Sequence, residues 1–96
     1  MVMDKSEALA TLNHELSLYR RLSYSELLPL VDRSSTIERT GPSGAKYQIE
    51  MQVLVDDPKL NTLRVLGTVD DGSLLRAMFP TGGDFIVAPD GSFVGE

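Results

Sequence analysis

Eight consecutive residues, Lys46-Tyr47-Gln48-Ile49-Glu50-Met51-Gln52-Val53, alternate strictly between polar and apolar. Successive side chains of a strand point to opposite faces, so this run specifies a half-buried antiparallel strand, with Tyr47, Ile49, Met51 and Val53 inward and the polar residues toward water. A helix would scatter those apolar residues around its axis. The chain is therefore expected to build a sheet with one covered face, and the cover has to come from elsewhere in the sequence.

The cover is predicted upstream. Leu9, Leu12, Leu16 and Tyr19 recur at spacings of three and four with no Gly or Pro between them, the stripe of an amphipathic helix. Asp4 and Glu7 resemble a capping box at its start. Ser23-Tyr24-Ser25-Glu26 repeats the signature, so a second, shorter helix is expected from Ser23, carrying Leu27, Leu28, Leu30 and Val31 and limited by Pro29, which lacks an N–H. Downstream, strands are predicted at Thr36–Thr40, Asn61–Val69, Leu74–Phe79, Phe85–Ala88 and Ser92–Val94. The expected connections are Gly41-Pro42-Ser43-Gly44, Asp70-Asp71-Gly72, Thr81-Gly82-Gly83 and Pro89-Asp90-Gly91.

Helices followed by strands define an α+β fold: an N-terminal helix and a short second helix packed on one face of an antiparallel β-meander. At 96 residues the chain is expected to be a single domain, 1–96, with helices over about 5–32 and the sheet over about 35–95. A two-residue loop at Asp71-Gly72 would aim Arg76 at the core. A three-residue loop with Gly72 in a bulge instead pairs Val65 with Ala77 and Leu63 with Phe79, and is preferred. The same logic at Pro89-Asp90-Gly91 pairs Val87 with Phe93.

Nine Lys and Arg against fourteen Asp and Glu give a net charge of −5, and the six Arg and three Lys are scattered. That balance repels phosphate backbones, so nucleic acid is not an expected partner. Zero Cys removes disulfides and thiol nucleophiles. No apolar run approaches the roughly 18 residues of a membrane span, and no signal-like segment stands at the N-terminus, so a cytoplasmic protein is expected.

His14 falls opposite the helix stripe, on the solvated side, with no partner at a spacing that makes a general base. Asp56-Asp57, Asp70-Asp71, Asp84 and Asp90 sit in or beside turns and lack the alternate-position spacing of a calcium loop, so neither a metal nor a cofactor is expected. The Gly-rich stretches lead into strands, not into the helix N-terminus that holds a phosphate. No enzymatic activity is expected.

The preferred register gathers Glu50, Gln52, Arg64, Leu66, Arg76 and Met78 on the sheet face away from the helices, with Leu54 and Leu74 beside them. Exposed apolar area rimmed by Arg is the composition of a contact surface. The expected function is a non-enzymatic protein-interaction module, with a protein partner or a second copy of the chain in a homodimer. The alternatives are an immunity or antitoxin-like protein, whose acidity would attract a basic toxin, and a small-molecule binder with its pocket near Tyr19, Tyr24 and Tyr47.

Gly41-Pro42-Ser43-Gly44 with Tyr47-Gln48-Ile49-Glu50, Val69-Asp70-Asp71-Gly72, Phe79-Pro80, Asp84-Phe85-Ile86 and Pro89-Asp90-Gly91 together resemble a small uncharacterised bacterial family. The resemblance covers roughly residues 37 to 95, and it implies a bacterial source and no activity. In outline the order of elements is also similar to cystatin-like domains, without their inhibitory motifs.

Overall fold

The computed structural model describes residues 5–70 and 81–96. Helix α1 spans Lys5–Arg20, and the short helix α2, Tyr24–Leu27, continues into a 3-10 turn at Leu28–Leu30. Strands β1 (Arg33–Thr40), β2 (Lys46–Asp57), β3 (Thr62–Asp70) and β4 (Thr81–Val87) form one antiparallel sheet in the order β1-β2-β3-β4. The α+β architecture is thus a meander with α1 on one face.

Capping explains the second helix. Ser23 accepts from the Glu26 amide at 3.2 Å, while the Glu26 carboxylate accepts from the Ser23 amide at 2.9 Å, completing the predicted box. Pro29 then stands in the 3-10 turn and the α-helix stops at Leu27. Of the four apolar residues expected to pack, Leu27 is buried, whereas Leu28 is exposed. Asp4, the predicted cap of α1, lies outside the described residues.

The inner face of the sheet is the core. Tyr47, Ile49, Met51 and Val53 of β2, Leu63, Val65 and Val69 of β3, and Phe85 and Val87 of β4 are buried with Ala8, Leu12 and Leu16 of α1. The buried stripe of α1 differs from the predicted one. Ala8 and Glu15 face the sheet beside Leu12 and Leu16, and Leu9 is half-buried. Hydrophobicity alone could not place a small Ala and a charged Glu there.

The register beyond β3 corrects the sequence reading. Val65 pairs with Val53 and Phe85, and Leu63 with Val55 and Val87, so Phe85 and Val87 hold the positions expected for Ala77 and Phe79 beside β3. The predicted strand Leu74–Phe79 lies outside the described residues. Thr81-Gly82-Gly83, expected as a turn, instead opens β4. The reason is the seat of the helix. Gly67 and Gly83 pair directly beneath α1, where an added Cβ would lie 2.9 Å from Leu12 Cδ1 at Gly67 and 3.1 Å from Leu16 Cδ1 at Gly83. Here glycine permits close approach between layers.

The β1–β2 hairpin is the predicted one. The Gly44 amide donates to the Gly41 carbonyl at 2.9 Å, the Gly41 amide donates to the Ala45 carbonyl at 2.8 Å, and Gly44 has φ 88°. Glu7 of α1 anchors this turn, accepting from the Ser43 amide at 3.0 Å, the Ser43 hydroxyl at 2.7 Å and the Tyr47 hydroxyl at 2.6 Å.

Candidate protein-contact surface

Pairing of Gln52 with Leu66, Leu54 with Arg64 and Glu50 with Thr68 brings Glu50, Gln52, Arg64 and Leu66 onto the sheet face opposite α1, as the alternation requires. Arg76 and Met78 lie outside the described residues. Their expected place beside β3 belongs to β4, whose Asp84 pairs with Leu66 and whose Ile86 pairs with Arg64. Sequence reasoning missed both residues. The signal was present in Asp84-Phe85-Ile86-Val87, where Phe85 and Val87 go inward and leave Asp84 and Ile86 outward.

The resulting surface has an apolar set and a charged one. Leu54, Leu66 and Ile86 are all half-buried, neither sealed in the core nor fully in water. Across them lies Arg64, whose guanidinium donates to Asp56 Oδ1 from Nε at 3.1 Å and from Nη2 at 3.0 Å, and pairs with Asp84 through Nη1. The hydrogen bonds to Asp56, helped by the charge of Asp84, hold Arg64 further into its protonated form. A guanidinium fixed on both sides is a pre-organised feature of the face.

The final hairpin leaves this face open. Val87 bridges to Phe93 as the sequence predicts, the Ala88 amide donates to the Ser92 carbonyl, and the Val94 amide donates to the Ile86 carbonyl, so the segment runs alongside β4. Phe93 turns inward, edge-on to Phe85 at 5.6 Å between ring centroids. The Arg20 guanidinium rests 4.7 Å from the centroid of each ring and binds Glu96 through two hydrogen bonds. The hairpin is clasped to α1, on the other side of the sheet.

The remaining candidates do not converge. Tyr47 is buried with its hydroxyl on Glu7, Tyr24 donates to the Asn61 carbonyl, and Tyr19 meets the Ser35 hydroxyl at 3.3 Å, so the tyrosines serve three separate contacts. The depression beside Tyr19, lined also by Leu30, Arg33 and Met51, holds about 160 Å³, and a separate, shallow one of about 310 Å³ lies between Tyr24 and the Pro89-Asp90-Gly91 turn, so no one cavity is shared by the tyrosines among the described residues. His14 is exposed. Among the described residues, no three His, Asp or Glu side chains gather as a metal site, and no helix is long and apolar enough to cross a membrane.

The chain matches no family model, no curated protein and no solved structure.

Proposed function

We propose that this protein is a non-enzymatic interaction module whose contact surface is the outer face of its sheet, centred on Leu66 with Leu54, Ile86, Gln52, Glu50 and Arg64 around it. The observation that carries the reading is the course of the last hairpin. It continues the sheet sideways and leaves three large aliphatic side chains partly in water beside a fixed guanidinium. Apolar centres with an Arg at the rim are how protein contact patches are composed.

The test compares wild type with Leu66→Glu as bait in the native host. Leu66 lies on the outer face, so the variant should keep its circular dichroism spectrum and its melting temperature within a few degrees. A protein recovered with wild type and lost with Leu66→Glu supports the reading. Identical recovery with both baits, or recovery with neither, removes it.

A further inference from the structure

The two edges of the sheet are treated differently. β4 is flanked at its last residues, Ile86 and Val87, by the chain's own final segment through the Val87–Phe93 bridge and the bonds of Ala88 and Val94. β1 has β2 on one side and, among the described residues, no strand on the other. Its pairing with β2 is unbroken over all eight residues, Arg33 to Thr40, and it contains no Pro. Proteins usually blunt such an edge with a proline, a bulge, charged side chains or a covering element, because its free N–H and C=O groups template further pairing; of these β1 carries the charged side chains of Arg33, Glu38 and Arg39.

The orientation of those groups follows from the hairpin. Gly41 bonds to Ala45, and in an antiparallel ladder the same orientation recurs at every second residue. Arg39, Ile37 and Ser35 therefore bond to β2, while Ser34, Thr36, Glu38 and Thr40 turn their N–H and C=O outward. Side chains at Ser34, Ser35 and Thr36 are small, so another backbone can approach.

We infer that β1 pairs antiparallel with β1 of a second copy of this chain about a two-fold axis at Ile37, joining the two sheets into one. Overlap and charge together select that register, because an axis at Ser34 or Ser35 pairs only the first part of the strand. An axis at Thr36 would set Arg33 directly opposite Arg39 twice, and an axis at Glu38 would set Glu38 opposite itself. Like charges directly opposite are destabilising. An axis at Ile37 instead places Thr36 opposite Glu38, Ser35 opposite Arg39, and Ser34 opposite Thr40, with no like pair. It also sets Ile37 against its own copy on the inner face. There Ile37 is half-buried, since α1 packs chiefly on β3 and β4 and reaches β1 through Tyr19 on Ser35 and Glu15 on Arg39. This deepens the proposed function and rests on it in one respect: the joined sheet makes the two outer faces a single surface.

The register can be read chemically, since the chain contains no Cys. Ile37 and its copy form a non-hydrogen-bonded pair with Cα atoms about 4.5 Å apart, within disulfide reach. Under mild oxidation Ile37→Cys should cross-link quantitatively, and Thr36→Cys and Glu38→Cys far more slowly. Thr36→Pro removes an outward N–H without touching the ladder to β2, so it should keep its circular dichroism while its sedimentation mass falls from dimer to monomer. Wild type that stays monomeric at about 1 mM overturns the inference. Cross-linking of Ile37→Cys no faster than of its neighbours does the same. Dimers that survive Thr36→Pro but disperse in Leu66→Glu place self-association on the outer face, which sinks the edge pairing and leaves the proposed function standing. Loss of the dimer in Thr36→Pro together with partner recovery unaffected by Leu66→Glu upholds the edge pairing and sinks the contact-face reading.

Discussion

Glu15 of α1 and Arg39 of β1 form an ion pair in which the carboxylate side is 2% exposed and the guanidinium side 45% exposed. The carboxylate has left water for the core. The guanidinium remains half in water and is the counter-charge that makes this tolerable.

The asymmetry sets an order of mutational costs. Arg39→Ala leaves a buried carboxylate without that counter-charge and should lower stability. Glu15→Met, which fills the same space without charge, should stay within about 1 kcal/mol of wild type, and Arg39→Ala in that background should cost well under its value alone. Urea unfolding of the four proteins measures the cycle; equal costs for Arg39→Ala in both backgrounds would refute it.

Glu7 makes stability depend on acid. Hydrogen bonds from Tyr47 first, then Ser43, hold its carboxyl below the ordinary 4.5, so the folded chain keeps it ionised at a pH where the unfolded chain has taken up the proton. The stabilisation is complete above about 4.5 and is lost as pH falls through the lower, folded value. Melting temperature against pH should therefore slope less steeply in Glu7→Gln below 4.5. Gly41→Ala should flatten it in the same way, since its Cβ would stand 2.5 Å from Glu7 Oε1 and dislodge the carboxylate. A slope unchanged in both variants contradicts the assignment.

The paired glycines predict a graded response. At Gly67 a methyl would meet Met51 Sδ at 2.6 Å and Leu12 Cδ1 at 2.9 Å, whereas at Gly83 the nearest atom is Leu16 Cδ1 at 3.1 Å. Gly67→Ala should cost about 1–3 kcal/mol by overpacking and Gly83→Ala less. Chemical denaturation of the two variants side by side decides it, and the reverse order would mean that α1 is seated differently.

Arg20 is predicted to be irreplaceable by Lys. Lys keeps the charge but cannot hold both Glu96 oxygens in a fork while lying flat between Phe85 and Phe93. Arg20→Lys should lower stability by about 1 kcal/mol and shift the Phe93 ring resonances toward solvent values. Unchanged Phe93 resonances would show that the clasp does not depend on the guanidinium plane.

What could be read from the sequence was whatever obeys a short period. The alternation of β2 specified both of its faces, and Ser23 with Glu26 specified the start of α2, because each signal lies within a few residues of itself. Glu15 was illegible since its partner arrives from a strand 24 residues away, and nothing local marks a charge destined for the core. The start of β4 was misplaced for a similar reason. Gly82-Gly83 has the composition of a turn, and its use as a strand depends on a helix formed by residues at the other end of the chain. Of the contact face, Glu50, Gln52, Arg64 and Leu66 followed from alternation, whereas Asp84 and Ile86 required the long-range pairing of β3 with β4.

The seat of α1 on β3 and β4 has a consequence for biosynthesis. The helix is made before the sheet, yet its apolar stripe of Ala8, Leu12 and Leu16 rests on β3 and β4, the later strands to leave the ribosome. β1 and β2 can zip together early through their tight hairpin, while the stripe waits for Phe85 and Val87 before its site is complete. At the usual 5–20 residues per second that interval is on the order of several seconds. During it the nascent chain carries an uncovered amphipathic helix, the kind of segment that a ribosome-bound chaperone shields.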